Sequence, residues 1–463
     1  MPSRQDQLHS YQYSLQRVVA ALVTHDPDPQ RSPLRRAGMT ALVSLLVASL
    51  LVAAAAIYGL LTGNSSANPR DPNVVFQEKG TGARFVYLES DGRLHPVLNF
   101  TSGLLLASAP TPSLKSVSAG KLAAVPLGDP LGIPDAPDSL PAKGALLTDR
   151  WSVCTDNQGA NSTARSTLLV GDRLTDGAVL AKAGRALLIR DPNGRNALVV
   201  GNRRFAIPIS RNDATLTALG YSSSRPWPVS LAWFNAVPAG PDLVPPSIPG
   251  LGRESVAGNL RVGQLVTDGQ QVAVILADGK AALTDMQARL MRTVQGVERP
   301  ADIGNDFIGL PTSQTRISDA GDAQGLPPVV PQLIDGAPTR ACITLPVDKA
   351  GDGIRIDPTI PAGEAVAGVG GRATGTVQAD LVHVARGRGA VTVSAASPRA
   401  PAGTGTVSVV TDTGRQYPLA SRDLVTKLGY GNVKLQQIPS ELISLMPAGP
   451  PLDPAKARQT APQ

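Results

Sequence analysis

Cys154 and Cys342 are the only thiols in this chain of 463 residues, and His95 and His383 are the only imidazoles past residue 25. Two cysteines without a CxxC spacing or a nearby pair of histidines offer no zinc-ligand set. In an oxidising compartment an isolated pair reads as one disulfide, with two unpaired buried thiols as the alternative. Such a bridge closes a loop of roughly 190 residues and would stabilise the fold by roughly 5 kcal/mol in the chain-entropy model. Phosphate chemistry would need a Gly-rich loop ending in Gly-Lys and then Ser or Thr. Gly120-Lys121 is followed by Leu122, Gly279-Lys280 by Ala281, and VGGRATG from Val369 has no lysine. These glycines read as turns. No G-x-S-x-G elbow occurs. His95 sits in the apolar run LHPVL and His383 alternates with Leu381, Val382 and Val384, so both read as packed side chains rather than general bases. Asp348, Asp352 and Asp357 form an acidic Gly-rich loop that could hold Ca²⁺, but the spacing is not that of an EF-hand and a plain turn is the reading adopted. No catalytic, cofactor-binding or metal residue is assigned.

The element that must position everything else is Met39 to Leu61, MTALVSLLVASLLVAAAAIYGLL. It is uncharged, and as a helix it is about 35 Å long, enough to cross a bilayer. A soluble core helix of this length is seldom apolar on every face. A cleaved signal peptide fits less well, because the run is long, starts late and lacks an A-x-A site. Arg31, Arg35 and Arg36 precede it and Thr62 to Pro69 carries no basic residue, so the N-terminus is expected inside the cell and about 400 residues outside.

Composition narrows the remainder. Gly (46) and Pro (41) stay below the level that argues disorder, while aromatics at 3% suggest thin layers rather than one large core. An outer region of this length predicts two or more domains or a repeat array. The net charge of +7 is dispersed and reads as solvation, not as a nucleic-acid footprint. Arg outnumbers Lys and Ala is abundant, an association with high-GC bacterial genomes.

Before the span, Ser3 and Asp6 form an S-x-x-D box, and Leu8, Tyr11, Leu15, Val18, Val19 and Leu22 then fall on one helical face. Asp26, Pro27, Asp28 and Pro29 stop the helix. A lone helix of this length is marginal in water, so its apolar stripe needs a partner. The membrane surface is one option; charges of both signs on the polar face favour a protein.

Beyond a polar linker a unit recurs: strand, tight turn, strand, short helix. Its turns are expected at Asp91-Gly92, Asn193-Gly194, Asp278-Gly279 and Thr413-Gly414, as type I′ turns with positive φ at both central positions. Ser210 and Gly220, and Ser421 and Gly429, read as the caps of the second and fourth helices. WFNAVPAGPDLVP and LISLMPAGPPLDP share one ending, and VGDRLTDG matches VGQLVTDG. WSVCTD, TRACITLP, TVQADLVHVARG and GAVTVSAAS are expected to build a central β-domain with the second and third units inserted. The fold class expected is α+β, a single-pass membrane protein with a central β-domain and four ββα-type repeats. The expected order is inside tail 1–38, span 39–61, linker 62–73, repeat 74–138, central part 139–185, repeats 186–250 and 251–336, central part 337–405, repeat 406–452, and a frayed polar tail 453–463.

ALVTHDP with SPLRR, RLHPVLNFTSGLLL, PLGDPLGIPDAP, WSVC and LMPAGPPLDP together resemble the EccB family, a membrane component of the actinobacterial type VII (ESX) secretion machine. The resemblance spans nearly the whole chain, although the segment before the span is shorter than in the family pattern. It implies an elongated extracytoplasmic body, several copies in one complex, and association with the EccC motor ATPase, EccD and EccE in the inner membrane. The role it favours is a scaffold. Because EccB proteins are sometimes catalogued as ATPases, an ATP-hydrolysing subunit is the alternative, with ATP as cofactor by that attribution alone. ATP is scarce outside the cytoplasm. A cell-wall-binding anchor is the third class.

Overall fold

A computed structural model describes residues 3–25, 33–62, 67–157, 163–172, 174, 176–294, 296–319, 322, 324–346, 353–361, 366–367, 376–396, 401 and 404–461. Helix α1 (Arg4–Thr24) starts at the expected box: the Ser3 hydroxyl accepts the Asp6 amide, and the Asp6 carboxylate accepts the Ser3 amide at 3.1 Å. The Ser3 side-chain and backbone bonds hold the Asp6 carboxyl below the usual carboxylate range. Helix α2 spans Pro33–Thr62, and its stretch Gly38–Tyr58 is long and apolar enough to cross a membrane, with none of it buried.

The chain divides into two compact units, Met1–His95 with Leu114–Gly128, and Pro96–Ser113 with Asp129–Gln463. Among the described residues the strands form five sheets, and four of these share one strand order: third, second, first, fourth in chain sequence. The first comprises Val74–Glu78, Arg84–Leu88, Arg93–Pro96 and Ser113–Val117. The second comprises Arg185–Arg190, Asn196–Val200, Arg203–Ile207 and Trp227–Pro228, with Gln332–Leu333 added beside its first strand. The third comprises Leu265–Thr267, Val272–Leu276, Gly279–Leu283 and Ala301–Asp302, and the fourth Ala390–Ala395, Val407–Val410, Gln416–Pro418 and Gln436–Pro439. In the second, third and fourth sheets the last strand runs parallel to the first.

The turns differ from the expected type. Asp91, Asn193, Asp278 and Thr413 keep negative φ, and the following glycines alone are positive. The Asn193-Gly194 and Thr413-Gly414 loops are three residues long, with the glycine as the left-handed closing residue; the Arg195 carbonyl accepts the Asp191 amide and the Arg415 carbonyl the Thr411 amide. The second copy is also offset. Its Asn-Gly turn joins the first and second strands, whereas Asp91-Gly92, Asp278-Gly279 and Thr413-Gly414 join the second and third.

The fifth sheet is central and has seven strands, ordered Val366–Ala367, Leu381–His383, Arg165–Leu169, Trp151–Asp156, Arg340–Leu345, Ile354–Ile356, Ala178–Val179. Its strands alternate cleanly. Val153, Leu168, Ile343 and Val382 face a large core shared with Trp233 and Phe234 of helix Leu231–Ala236 and Leu442 and Ile443 of helix Ser440–Ser444. Cys154, Leu169 and Cys342 face the other side, beneath Leu174 and Ile360. Cys154 and Cys342 stand directly opposite in register, with Cα atoms 4.0 Å apart, and form the disulfide. GAVTVSAAS, expected in this sheet, instead supplies the first strand of the fourth small sheet, because its antiparallel partner Val407–Val410 lies a short loop away.

One contact recurs in all four small sheets. A residue of the third strand is clamped by a P-x-G or P-x-S segment running beside it. Leu94, Arg204, Lys280 and Gln416 each donate their amide to the carbonyl of Pro126, Pro238, Pro311 or Pro447, and each carbonyl accepts from Gly128, Gly240, Ser313 or Gly449, at 2.7 to 3.1 Å. The next strand residue explains the glycine. An added Cβ would lie 2.3 Å from the His95 ring at Gly128, 2.5 Å from Phe205 at Gly240 and 2.2 Å from Tyr417 at Gly449. In the third sheet, where serine replaces glycine, the strand residue is Ala281.

As far as Ala461 the tail is not frayed. Asp453 caps the helix Pro454–Ala457, and the Ala461 amide bonds the Pro130 carbonyl at 2.9 Å. Ala457 is fully buried.

Two outcomes test this packing. Gly449→Ala and Gly240→Ala should each destabilise the second unit by about 1–3 kcal/mol through overpacking, with Ser313→Gly close to neutral, read by urea unfolding. Replacing Cys154 and Cys342 together with serine should remove several kcal/mol, up to about 5, and lower the melting temperature; reductant should do the same to the native chain.

Candidate functional site

The residues with reactive side chains are tied into the fold one by one. Gly279 (φ 142) sits where an added Cβ would lie 2.3 Å from the Pro311 carbonyl oxygen, so the clamp of the third sheet requires the glycine. Lys280 lies over the Phe307 ring at 4.2 Å and donates to the Phe307 carbonyl, which commits the ammonium to a packing contact. Gly120 and Lys121 are not in a turn but within the four-residue helix Ala119–Leu122. VGGRATG, Asp348 and Asp352 fall outside the described residues. Asp357 spends one carboxylate oxygen on the amides of Thr339 and Arg340, at 2.9 and 2.8 Å.

His95 is buried, with Nε2 2.8 Å from Asp91 Oδ2. Desolvation pushes the Asp91 carboxyl up, but the bonds from His95 and the Arg93 amide prevail and hold it below its ordinary value. His383 is buried as well, its Nε2 3.2 Å from Asp172 Oδ2. The two histidines belong to different sheets: one lies in the first small sheet, the other in the central one. Among the described residues no group of three His, Cys, Asp or Glu side chains is placed to hold a metal ion.

What does converge is three of the stretches that carried the resemblance, NFTSGLLL, GIPDAP and PPLDP. Helix α3 (Phe100–Leu106) is the apolar end of NFTSGLLL, and apart from Phe100 it is buried along its length. Asn99 caps it, accepting the Ser102 amide at 2.9 Å and donating to the Ile133 carbonyl at 2.8 Å. Ser102 accepts the Ile133 amide, Thr101 donates to the Pro137 carbonyl, and the Phe100 amide bonds Asp138. NFTS and IPDAP are thus each other's hydrogen-bond partners. Helices Leu424–Lys427 and Pro454–Ala457 pack on α3, the latter capped by the aspartate of PPLDP. The WSV of WSVC is buried in the middle strand of the central sheet.

Four contacts had no signal in the sequence beyond the scarcity of aromatics. Arg195 and Arg204 approach the buried Phe234 ring at 5.0 and 4.4 Å. Tyr221 donates to the Pro331 carbonyl, and burial pushes its hydroxyl up to about 12. Tyr430 donates to the Pro141 carbonyl at 2.7 Å, and burial pushes it up further.

The unfinished surface lies on α1. Leu8, Tyr11, Leu15, Val18 and Leu22 are exposed, Val19 is half-buried, and Ala20 is buried where α1 meets α2. An apolar stripe of this length on one helix is a surface that a partner can cover.

Known proteins resemble the chain throughout. A protein described as "ESX-3 secretion system ATPase EccB3" from Mycobacterium tuberculosis (strain ATCC 25618 / H37Rv) is 27% identical over 497 residues, covering 97% of this chain and 88% of that protein. "ESX-1 secretion system ATPase EccB1" from the same strain is 29% identical over 307 residues, covering 62% of this chain and 61% of that protein. Among solved structures, a chain of an intact ESX-5 inner membrane complex matches with a TM-score of 0.68 at 23% identity, covering 100% of this chain and 96% of that one. The EccB3 dimer from the ESX-3 core complex matches at 0.63 and 26% identity, covering 84% of this chain and 100% of that one. The family model described as "Type VII secretion system ESX-1, transport TM domain B" matches residues 1–462, and the chain belongs to that EccB family of type VII secretion membrane components.

Proposed function

We propose that this chain is a scaffold subunit in the inner-membrane core of a type VII secretion system. It sits beside EccC, EccD and EccE and is present in more than one copy. The observation that carries this reading is the fate of the family stretches: NFTS, IPDAP, PAGP and PLDP are consumed by hydrogen bonds and packing inside the fold. A chain that spends these stretches on its own architecture is built to present surfaces. The names of the relatives carry the word ATPase, but Lys280, in one of the two Gly-Lys pairs, is held on Phe307. That favours the scaffold over an ATP-hydrolysing subunit.

Within this reading, residues 1–38 are the cytoplasmic tail, α2 crosses the membrane, and the region beyond is extracytoplasmic. The four sheets of common strand order are the four related repeats. The apolar face of α1 docks onto membrane partners of the complex.

Three measurements test it. Leu15→Asp with Val19→Asp should release the protein from the complex on blue-native electrophoresis while leaving insertion and ectodomain melting unchanged. Co-migration of that variant with the full complex would remove α1 as the docking element. A cysteine at Ser66, added to the native disulfide-bonded chain, should react with an impermeant maleimide in whole cells, and one at Ser32 should not; reversed labelling would invert the topology. Purified full chain in detergent should release no phosphate from ATP above a Lys280→Ala control.

A further inference from the structure

Leu8, Tyr11, Leu15, Val18 and Leu22 on α1 are separated by three, four, three and four residues, the a and d positions of a heptad. All five are exposed, from 51% at Leu15 to 75% at Leu22. A helix that packs on a globular core, or lies in a bilayer interface, carries a broader apolar face; a and d alone make the narrower seam of a coiled coil. Here the stripe broadens only near its end, at Val19 and Ala21, and both are already half-buried. The f position between them, Ala20, is buried where α1 meets α2. Position f lies opposite the seam, so the chain's own anchor covers the back of α1 and leaves the a and d residues facing outward.

The flanks of the seam say which helix can pair with it. Gln5, Gln7, Gln12, Ser14, Val19 and Ala21 occupy the e and g positions, and none is charged. Asp6, His9 and Arg17 fall at f, b and c, and Arg4 precedes the seam. Charged e and g residues select a partner of opposite sign, and like signs there forbid a helix from pairing with itself. Uncharged flanks leave self-pairing unopposed. The seam from Leu8 to Leu22 is only about 21 Å long, too short to hold free helices together in water. Joined to α2, it does not have to. Copies anchored side by side meet at a high effective concentration, and a short seam then suffices.

On the reading that this stripe docks inside the complex and that α2 crosses the membrane, we propose that the partner is a second copy of this chain. Two α1 helices pair through Leu8, Tyr11, Leu15, Val18 and Leu22 into a short coiled coil beside the anchors. The side chains at a and d interlock, and the glutamines and Ser14 line the margins without repulsion.

The test is copper-phenanthroline crosslinking of the full chain in native membranes with one cysteine added. Cys154 and Cys342 are bonded to each other, so the added thiol is the free one. Leu15 is the midpoint of the seam, and Leu15→Cys meets its counterpart whichever way the helices run. It should give a linked dimer at roughly ten times the yield of Ser10→Cys or Arg17→Cys, both at outward c positions. Adding Gln7→Glu, Gln12→Glu and Ser14→Glu should lower that yield roughly tenfold, and so should lysine at the same three positions. Co-expression of the glutamate and lysine versions should restore the dimer as a mixed pair, with ectodomain melting unchanged. Equal yields from Leu15→Cys and Ser10→Cys, or no restoration in the mixed pair, overturn the proposal. So does a Leu15→Cys chain that forms no dimer. Shielding of its thiol from maleimide only in the assembled complex would then assign the stripe to another subunit and leave the docking reading standing. Shielding in purified chain in liposomes would assign it to the lipid surface, and exposure in both would overturn the docking reading too.

Discussion

Two strands, Trp151–Asp156 and Arg340–Leu345, meet across a sequence separation of 188 residues at their cysteines. Closing so long a loop costs little more than closing one half its length, since the entropy grows only with its logarithm. The pairing returns that cost many times over. Val153, Trp151 and Ile343 are buried on one face, and Ser152 and Thr344 share a 2.8 Å hydroxyl contact on the other. Arg340 and Asp156 join the strands at one end as a largely buried ion pair. Because this pair closes the base, the second and third small sheets fold as an excursion from the central sheet. Removing the pairing would leave them tethered but unplaced, which is why the disulfide stands at its centre.

The second constraint is smaller and repeated. Each clamp places a backbone strand against the face of a side chain, and the pair of residues involved must match in size. Ring and glycine occur together at His95 and Gly128, Phe205 and Gly240, Tyr417 and Gly449, and the smaller Ala281 occurs with Ser313. Four copies have kept one geometry through paired exchanges rather than through one invariant residue. Overpacking explains the coupling: a Cβ within 2.5 Å of a ring forces either the ring or the strand to move.

This coupling also explains what the sequence could and could not reveal. The span, the capping box at Ser3, the cysteine pair and the strand–turn–strand rhythm were legible, because each is a local pattern. The turn type was not, since Asn-Gly and Thr-Gly suit a three-residue loop with one left-handed glycine as well as a type I′ turn, and Gly279 is already a strand residue. GAVTVSAAS was misassigned because an apolar β run carries no label for its partner. The tail read as frayed because its buried groups are alanines: Ala457 lies in the helix that packs on α3, about 350 residues away in sequence, and Ala461 bonds Pro130, so neither burial shows as local hydrophobicity. Among the chemical candidates, the histidines were read correctly as packed. The ion-like spacing of the Asp348 to Asp357 loop could be judged only at Asp357, which serves backbone amides.

Helix α3 gives the last step. Polar residues in a buried helix are costly unless every donor and acceptor is met, and a half-satisfied network is worse than an apolar one. Asn99, Thr101 and Ser102 are buried and each finds its partner in a segment some thirty residues on, roughly, so neither stretch can change without the other. Such a network fixes one arrangement among many compact ones of similar hydrophobicity. A chain with few aromatics has few large rigid side chains with which to specify its packing by shape alone. It achieves uniqueness instead through these paired polar contacts, the clamps and one crosslink, and that is the property a rigid component of a larger assembly needs.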